Sequence, residues 1–184
     1  MASRAEYMPG PAAGARAERD GERWKLILVR ELRHPPARVW QAITDPEHLR
    51  EWVPFDADRN LNSEGVTVEL TWTGTARTSE ARVTRAEAPT LLEFGDMRWE
   101  LEPLGPDTRN PGTRLTLWHS IGGRYVTWGA AGWHICFDVL DRMLSGTPIG
   151  RIAGGDAMQF GFRRLVEEYS VEFGLETTGE KDKP

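Results

Sequence analysis

The longest hydrophobic pattern in the chain lies between Gly129 and Gly146. Its apolar residues recur at intervals of three and four positions, which is the spacing of one face of an α-helix. Gly146 can adopt the left-handed conformation that ends a helix, and Pro148 prevents continuation beyond it. The pattern therefore predicts a long amphipathic helix with a well-marked end. Its apolar face consists of Trp133, Phe137, Leu140 and Leu144, flanked by Cys136 and Met143.

Upstream of this helix, hydrophobic residues recur at every second position. Such a period is typical of β-strands with one buried face. Short turns join most of the predicted strands, which favours an antiparallel meander. The predicted strands cover residues 24–32, 66–72, 80–88, 90–95, 97–102 and 115–121.

Two short helices are predicted between the first and second strands. Pro36 can begin a helix that continues to Thr44, and Asp45 can cap a second helix that begins at Pro46. A further helix is predicted from Asp156 to about residue 173. The fold class is therefore α+β, in which a six-stranded antiparallel sheet is covered on one face by helices.

Composition separates a folded domain from its two ends. The chain has 184 residues, of which 39% are hydrophobic, and this suits one domain with a sizeable core. Residues 1–22 lack periodicity and are rich in Ala, Gly, Arg and Pro, so they are predicted to be a disordered leader. Residues 23–174 are predicted to form a single domain, and residues 175–184 a disordered tail.

Charge and cysteine content narrow the possible functions. The net charge of −5 argues against a nucleic-acid partner, because phosphate binding needs clustered Lys and Arg. No apolar run is long enough to enter a membrane, so a cytoplasmic protein is expected. The lone Cys136 is interpreted as a small buried hydrophobic residue. The four histidines show no metal-binding spacing, so neither a metal nor another cofactor is predicted.

A long helix held by a sheet tends to leave a cavity between the two layers. His119 shares its strand face with Leu115, Leu117 and Ile121, which we assign to the cavity side. A polar group there needs a partner, and a ligand, a water molecule and another side chain all remain possible. The residues predicted to line the cavity are Trp52, Phe55, Trp72, Trp99, His119, Trp133, Phe137 and Leu140.

Two further features have a structural and a functional interpretation. His134 and Asp138 are four residues apart on the long helix, so they can form either a solvated polar side or a catalytic pair. No nucleophile is visible beside them, which favours the solvated side. Trp118 points away from the face of His119, and an outward aromatic residue is a candidate contact in a homodimer.

Two segments of the sequence resemble a known family. Residues 35–46, PPARVWQAITDP, are followed by Leu49 and Trp52, and residues 132–140 read GWHICFDVL. Together they resemble the SRPBCC or START-like helix-grip superfamily. The branch they are most similar to is named for the C-terminal domain of the Aha-type activator of heat shock protein 90 ATPase. The resemblance covers residues 24–145 and implies six antiparallel strands curved around the long helix. It also implies an internal pocket that in relatives accepts lipids, polyketides or hormones.

We therefore expect the protein to bind a small apolar or amphipathic molecule between the sheet and the long helix, without catalysis. Two alternatives remain open. The first is an enzyme of the polyketide cyclase or aromatase type that uses His119 as acid or base. The second is a protein that stimulates a chaperone ATPase.

Overall fold

A computed structural model of the chain describes residues 3–75, 77–105 and 111–175. These residues form one antiparallel sheet of eight strands, in the spatial order β1-β2-β8-β7-β6-β5-β4-β3. Two long neighbouring strands, β2 and β8, pair along the whole of β2, from Arg23 opposite Gly122 to Leu32 opposite Thr113. The strands are β1 (Ala15–Asp20), β2 (Arg23–Leu32), β3 (Phe55–Ala57), β4 (Thr67–Trp72), β5 (Thr78–Glu87), β6 (Leu91–Phe94), β7 (Met97–Leu104) and β8 (Gly112–Gly122).

The expectation of six strands is wrong, because β1 and β3 extend the sheet at its two edges. β1 pairs with β2, but only Ala15 and Ala17 on it are partly buried, so its sequence shows no hydrophobic alternation. β3 is three residues long, which is too short to show a period. The six strands that were expected are all present as β2 and β4 to β8.

The segment predicted to be a disordered leader is ordered over its described part, residues 3–22. It contains a short 3₁₀ turn at Arg4–Glu6 as well as β1. Tyr7 is 2% exposed and donates its hydroxyl proton to Asp138 Oδ2 at 2.8 Å. The polar composition misled the prediction, because these residues are held by contacts with distant parts of the chain. Residues 176–184 of the expected disordered tail lie outside the described residues.

The described residues also form four α-helices, α1 (Pro36–Thr44), α2 (Pro46–Leu49), α3 (Val126–Leu144) and α4 (Phe162–Glu172), of which α4 packs against α3. α3 confirms the predicted long helix, although it begins three residues earlier than expected. The helix predicted from Asp156 is interrupted, because Gly161 has a φ of +72° and separates a 3₁₀ segment, Gly154–Gln159, from α4. None of the described helices has both the length and the apolar character needed to cross a membrane.

Aromatic residues fill much of the layer between the sheet and α3. Trp52, Trp99 and Trp133 approach one another with ring centroids 5.4–6.5 Å apart, in tilted or edge-on arrangements. The Trp52 indole donates to the carbonyl of Ala42 at 2.9 Å, which fixes α1 against this cluster. The core is therefore densely packed along the middle of α3.

Candidate functional site

A pocket of about 380 Å³ opens beside the first half of α3. One wall is α3 itself, and another is the connection between α3 and α4, through residues 152–155, Ala157 and Met158. Pro54, Trp72, His119 and Phe162 complete the lining. The residues that α3 contributes are Trp128, Gly129, Gly132, Trp133 and Cys136.

Two glycines of α3 lie in the lining of this pocket and have different surroundings. A Cβ atom at Gly129 would lie 2.7 Å from Ile121 Cδ1, so the absence of a side chain lets the helix approach β8 closely. At Gly132, the nearest atom to an added Cβ would be Phe162 Cε2 at 3.9 Å. Position 132 therefore faces unfilled space, and a larger side chain there would occupy the pocket.

The structure places three of the eight expected lining residues at the pocket, namely Trp72, His119 and Trp133. The other five do not line it, because each is at most 1% exposed and packs within the core. Their rings and side chains fill the space that was expected to be a cavity along the middle of α3. These core residues are Trp52, Phe55, Trp99, Phe137 and Leu140.

Several lining residues were not found by sequence reasoning. Trp128 and Met158 are 44% and 40% exposed and lie at the pocket rim, and Phe162 contacts Trp128 with ring centroids 5.3 Å apart. The pattern places Trp128 just outside the predicted helix, so it drew no attention. The Gly-rich connection, read only as a linker, holds its residues against the pocket through tertiary contacts that periodicity does not report.

His119 is held in a defined orientation by Trp133. The indole Nε1–H of Trp133 donates to Nδ1 of His119 at 3.0 Å. An indole nitrogen can only donate, so Nδ1 must be unprotonated, and the neutral imidazole carries its proton on Nε2. Burial lowers the pKa of His119 to about 4, which keeps the ring neutral near pH 7.

The other side chains of the lining offer no reactive group near neutral pH. Cys136 is the other titratable side chain of the lining, and burial raises the pKa of its thiol to about 12. The indole N–H of Trp72 is already used, because it donates to Ser79 Oγ at 3.1 Å. Within the described ranges, no group of three His, Cys, Asp or Glu side chains converges as metal ligands would.

The opposite side of α3 carries a polar network in place of the expected solvated face. Asp138 pairs with Arg30 at 2.9 Å and also accepts from Tyr7. His134 is 4% exposed, and its Nδ1 lies 2.8 Å from the Tyr169 hydroxyl, which donates to the carbonyl of Ala13. The expectation that His134 is solvated is therefore wrong, because the N-terminal segment and α4 cover it.

His134 and Asp138 are not arranged as a catalytic pair. The distance from His134 Nε2 to Asp138 Oδ2 is 3.8 Å, which is too long for a hydrogen bond. The Nδ1 atom of His134 is already engaged by the hydroxyl of Tyr169, and burial lowers the pKa of the ring. The network holds the N-terminal segment to α3.

Trp118 lies on the outer face of the sheet as predicted, but the protein partly covers it. The guanidinium of Arg98 lies 5.7 Å from the centre of a Trp118 ring, in the geometry of a cation–π contact. Arg98 also pairs with Glu93 and Glu100. The role of Trp118 in a homodimer remains a prediction.

Comparison with known proteins gives a family and a fold. Residues 33–145 match the model of the family described as "Activator of Hsp90 ATPase homolog 1-like protein". No curated protein matches the sequence significantly.

Several solved structures share the fold. A conserved protein of unknown function from Enterococcus faecalis, EF2215, has a TM-score of 0.63 at 14% identity, over 89% of this chain and 92% of its own. SSP2350 from Staphylococcus saprophyticus has a TM-score of 0.60 at 18% identity, over 70% and 98%. CalU16 from Micromonospora echinospora, solved by NMR, has a TM-score of 0.58 at 23% identity, over 94% and 96%. At these identities the likeness shows the fold alone.

Proposed function

Because the chain belongs to the family described as Activator of Hsp90 ATPase homolog 1-like protein, we propose that it binds a small apolar molecule without changing it chemically. The observation that carries this proposal is the pocket beside α3, whose lining is mostly apolar and includes the neutral ring of His119 among its few polar groups. Pockets for small ligands are usually apolar with a few placed polar groups. A volume of about 380 Å³ lies towards the small end of their range.

Catalysis has little support in this lining. An acid or base works best when its pKa lies near the working pH, and the pKa of His119, about 4, is far below neutrality. The thiol of Cys136, with a pKa of about 12, is no nucleophile at neutral pH. The cyclase alternative needs a second acid or base beside His119, and the other titratable side chain of the lining is the thiol of Cys136, which stays protonated at neutral pH.

The chaperone-stimulating alternative is supported by the description of the family and by no surface feature among the described residues. Family membership speaks for the fold more strongly than for an activity, because one fold hosts many functions. We therefore retain ligand binding as the proposed function.

Filling the pocket from position 132 tests the proposal. Gly132→Leu puts a side chain into the unfilled space, whereas Gly132→Ala adds one carbon in ordinary contact with Phe162. Both changes favour the helical state over glycine, so the fold should be retained. The neutral fluorescent probe N-phenyl-1-naphthylamine is expected to bind the wild type and Gly132→Ala, and to lose at least tenfold in affinity for Gly132→Leu.

Thermal unfolding of both variants provides the control for folding. If the probe bound equally to Gly132→Leu and to the wild type, the proposed pocket would not be its site. Mass spectrometry of organic extracts from the purified protein would identify a co-purified ligand, which should be absent from Gly132→Leu.

A further inference from the structure

Building on the proposed function, we infer that the pocket selects uncharged ligands in which an apolar body carries a hydrogen-bond acceptor, such as a ketone, lactone or ether oxygen. The acceptor binds the Nε2–H of His119. Three features of the pocket lead to this class of ligand, and each can be tested separately.

The first feature is the fixed tautomer of His119. A hydroxyl partner of a histidine can either donate or accept, but the indole N–H of Trp133 can only donate. The 3.0 Å hydrogen bond therefore assigns the lone pair to Nδ1 and the proton to Nε2. A ligand consequently meets a donor at this ring and no acceptor.

The second feature is that the Nε2–H has no protein partner among the described residues. Buried donors are normally paired with protein or with water, so a half-buried N–H at the lining of an apolar pocket offers a place for a ligand oxygen. The neighbouring donor of Trp72 is already bonded to Ser79. The indole N–H of Trp128 is a further donor, but Trp128 lies at the exposed rim, so we assign the orientation of a ligand to His119.

The third feature is the lack of charge in the lining. The pocket contains no Lys, Arg, Asp or Glu side chain among its described lining residues. The charged groups that act on His119 are Arg23 and Asp96, which pair with each other at 3.0 Å and offset one another. A carboxylate or an amine entering the pocket would lose its hydration without gaining an opposite charge.

Three small probes of similar size separate these possibilities: 1-tetralone with a ketone, tetralin without a polar atom, and the anion 1-naphthoate. The affinity of each is measured by calorimetry for the wild type and for His119→Leu. We expect the ratio of tetralone to tetralin affinity to fall about fivefold in His119→Leu, the effect of one lost hydrogen bond. At pH 7, 1-naphthoate should bind the wild type at least tenfold more weakly than tetralone.

The outcomes distinguish the inference from the proposed function. An unchanged tetralone-to-tetralin ratio in His119→Leu, or tight binding of 1-naphthoate, would overturn the acceptor class while leaving a binding pocket in place. If neither tetralin nor tetralone bound the wild type, and Gly132→Leu had no effect on the naphthylamine probe, the proposed function itself would fail.

Nitrogen NMR reads the tautomer directly. In the wild type at pH 7, the ¹⁵N shifts of His119 should show an unprotonated Nδ1 and a protonated Nε2. Trp133→Phe removes the indole donor while keeping an aromatic ring, so the spectrum should shift towards a mixture of tautomers. A protonated Nδ1 in the wild type would overturn the inference.

Discussion

Each side of α3 packs a histidine against an aromatic residue, but the two histidines meet partners of different kinds. On the pocket side, His119 of β8 accepts from the indole of Trp133, which can only donate. On the network side, His134 meets the hydroxyl of Tyr169, which can both donate and accept. The first contact leaves the proton of His119 on Nε2. The second leaves the proton of His134 on Nδ1, because the single hydroxyl proton of Tyr169 is donated to the carbonyl of Ala13.

The difference lies in what the rest of the chain supplies. On the network side, the N-terminal segment adds Tyr7 and the carbonyl of Ala13, so Asp138 and Tyr169 both have protein partners. On the pocket side, no such segment covers His119 among the described residues. Buried polar groups with full protein partnership stabilise a structure, whereas a polar group left without one is available to a ligand.

The largest effect should come from removing Trp133, which serves both the core and His119. Trp133 is 4% exposed and contacts three other aromatic rings besides His119, so Trp133→Ala should lower the free energy of unfolding by about 3–5 kcal/mol. Trp128→Ala, at the exposed rim, should cost less than about 1 kcal/mol. Urea unfolding measures both. Equal losses would show that the rim belongs to the core.

The next largest effect should be a change in how the free energy of unfolding depends on pH, to which the two histidines contribute. The folded pKa of His119, about 4, lies below its unfolded value of about 6.5, so its contribution is full above pH 6.5 and is lost as the pH falls towards 4. The loss should reach roughly 3 kcal/mol at most. His119→Gln, which still accepts from Trp133 but does not titrate, should flatten the curve in this window.

His134 should also contribute to the loss of stability as the pH falls, because burial lowers its pKa as well. A double variant with Gln at both positions is expected to have the flattest profile between pH 6.5 and 4. Urea unfolding at several pH values checks the series. A profile unchanged by His119→Gln would mean that the ring titrates equally in the folded and unfolded states.

The network should depend on Asp138 more than on a neighbouring carboxylate of the same helix. Asp138→Asn removes the charge opposite Arg30, and this should cost about 2 kcal/mol, less than for a fully buried pair because the Arg30 side chain is 29% exposed. Asp141→Asn, a partly exposed position of α3, should be nearly neutral. Equal effects of the two variants in urea unfolding would argue against the network as a stabilising unit.

The smallest effect should come from Arg4, which ties the N-terminal segment to the pocket wall. Its guanidinium donates to the carbonyls of Ile149 and Arg151 at 3.2 and 2.8 Å and pairs with Asp156. Arg4→Ala should cost less than about 1 kcal/mol overall but speed amide exchange at residues 152–155. Arg16→Ala, which breaks an exposed pair, is the control and should leave that exchange unchanged.

The fold could be predicted wherever one face of an element is buried. α3 and the six strands β2 and β4 to β8 show clear periods, and the resemblance to the helix-grip superfamily is confirmed by the family match over residues 33–145. β1 was not predicted, because an edge strand whose inward residues are only alanines shows no hydrophobic alternation. The burial of His134 was not predicted either, because it depends on hydrogen bonds between residues that lie far apart in the sequence.

The pocket could be predicted only in part. Periodicity assigns side chains to a face, and it assigned His119, Trp72 and Trp133 to the inner one. It does not tell a side chain that fills the core from one that borders a space, because this depends on how closely the layers approach. Gly129 allows the close approach of α3 to β8, whereas Gly132 and the connection after α3 border the open space, and none of these has a hydrophobic period.

The contacts of the N-terminal segment also have a consequence for protein synthesis. Tyr7 and Asp138 are 131 residues apart, and Arg4 and Arg151 are 147 residues apart. A ribosome that adds 5–20 residues per second therefore needs on the order of 10 seconds between adding the first residue of each contact and adding the second. During that interval the nascent chain has neither the network nor the pocket. Both can be completed only after residues 152–169 have been synthesised and have packed against the rest of the domain.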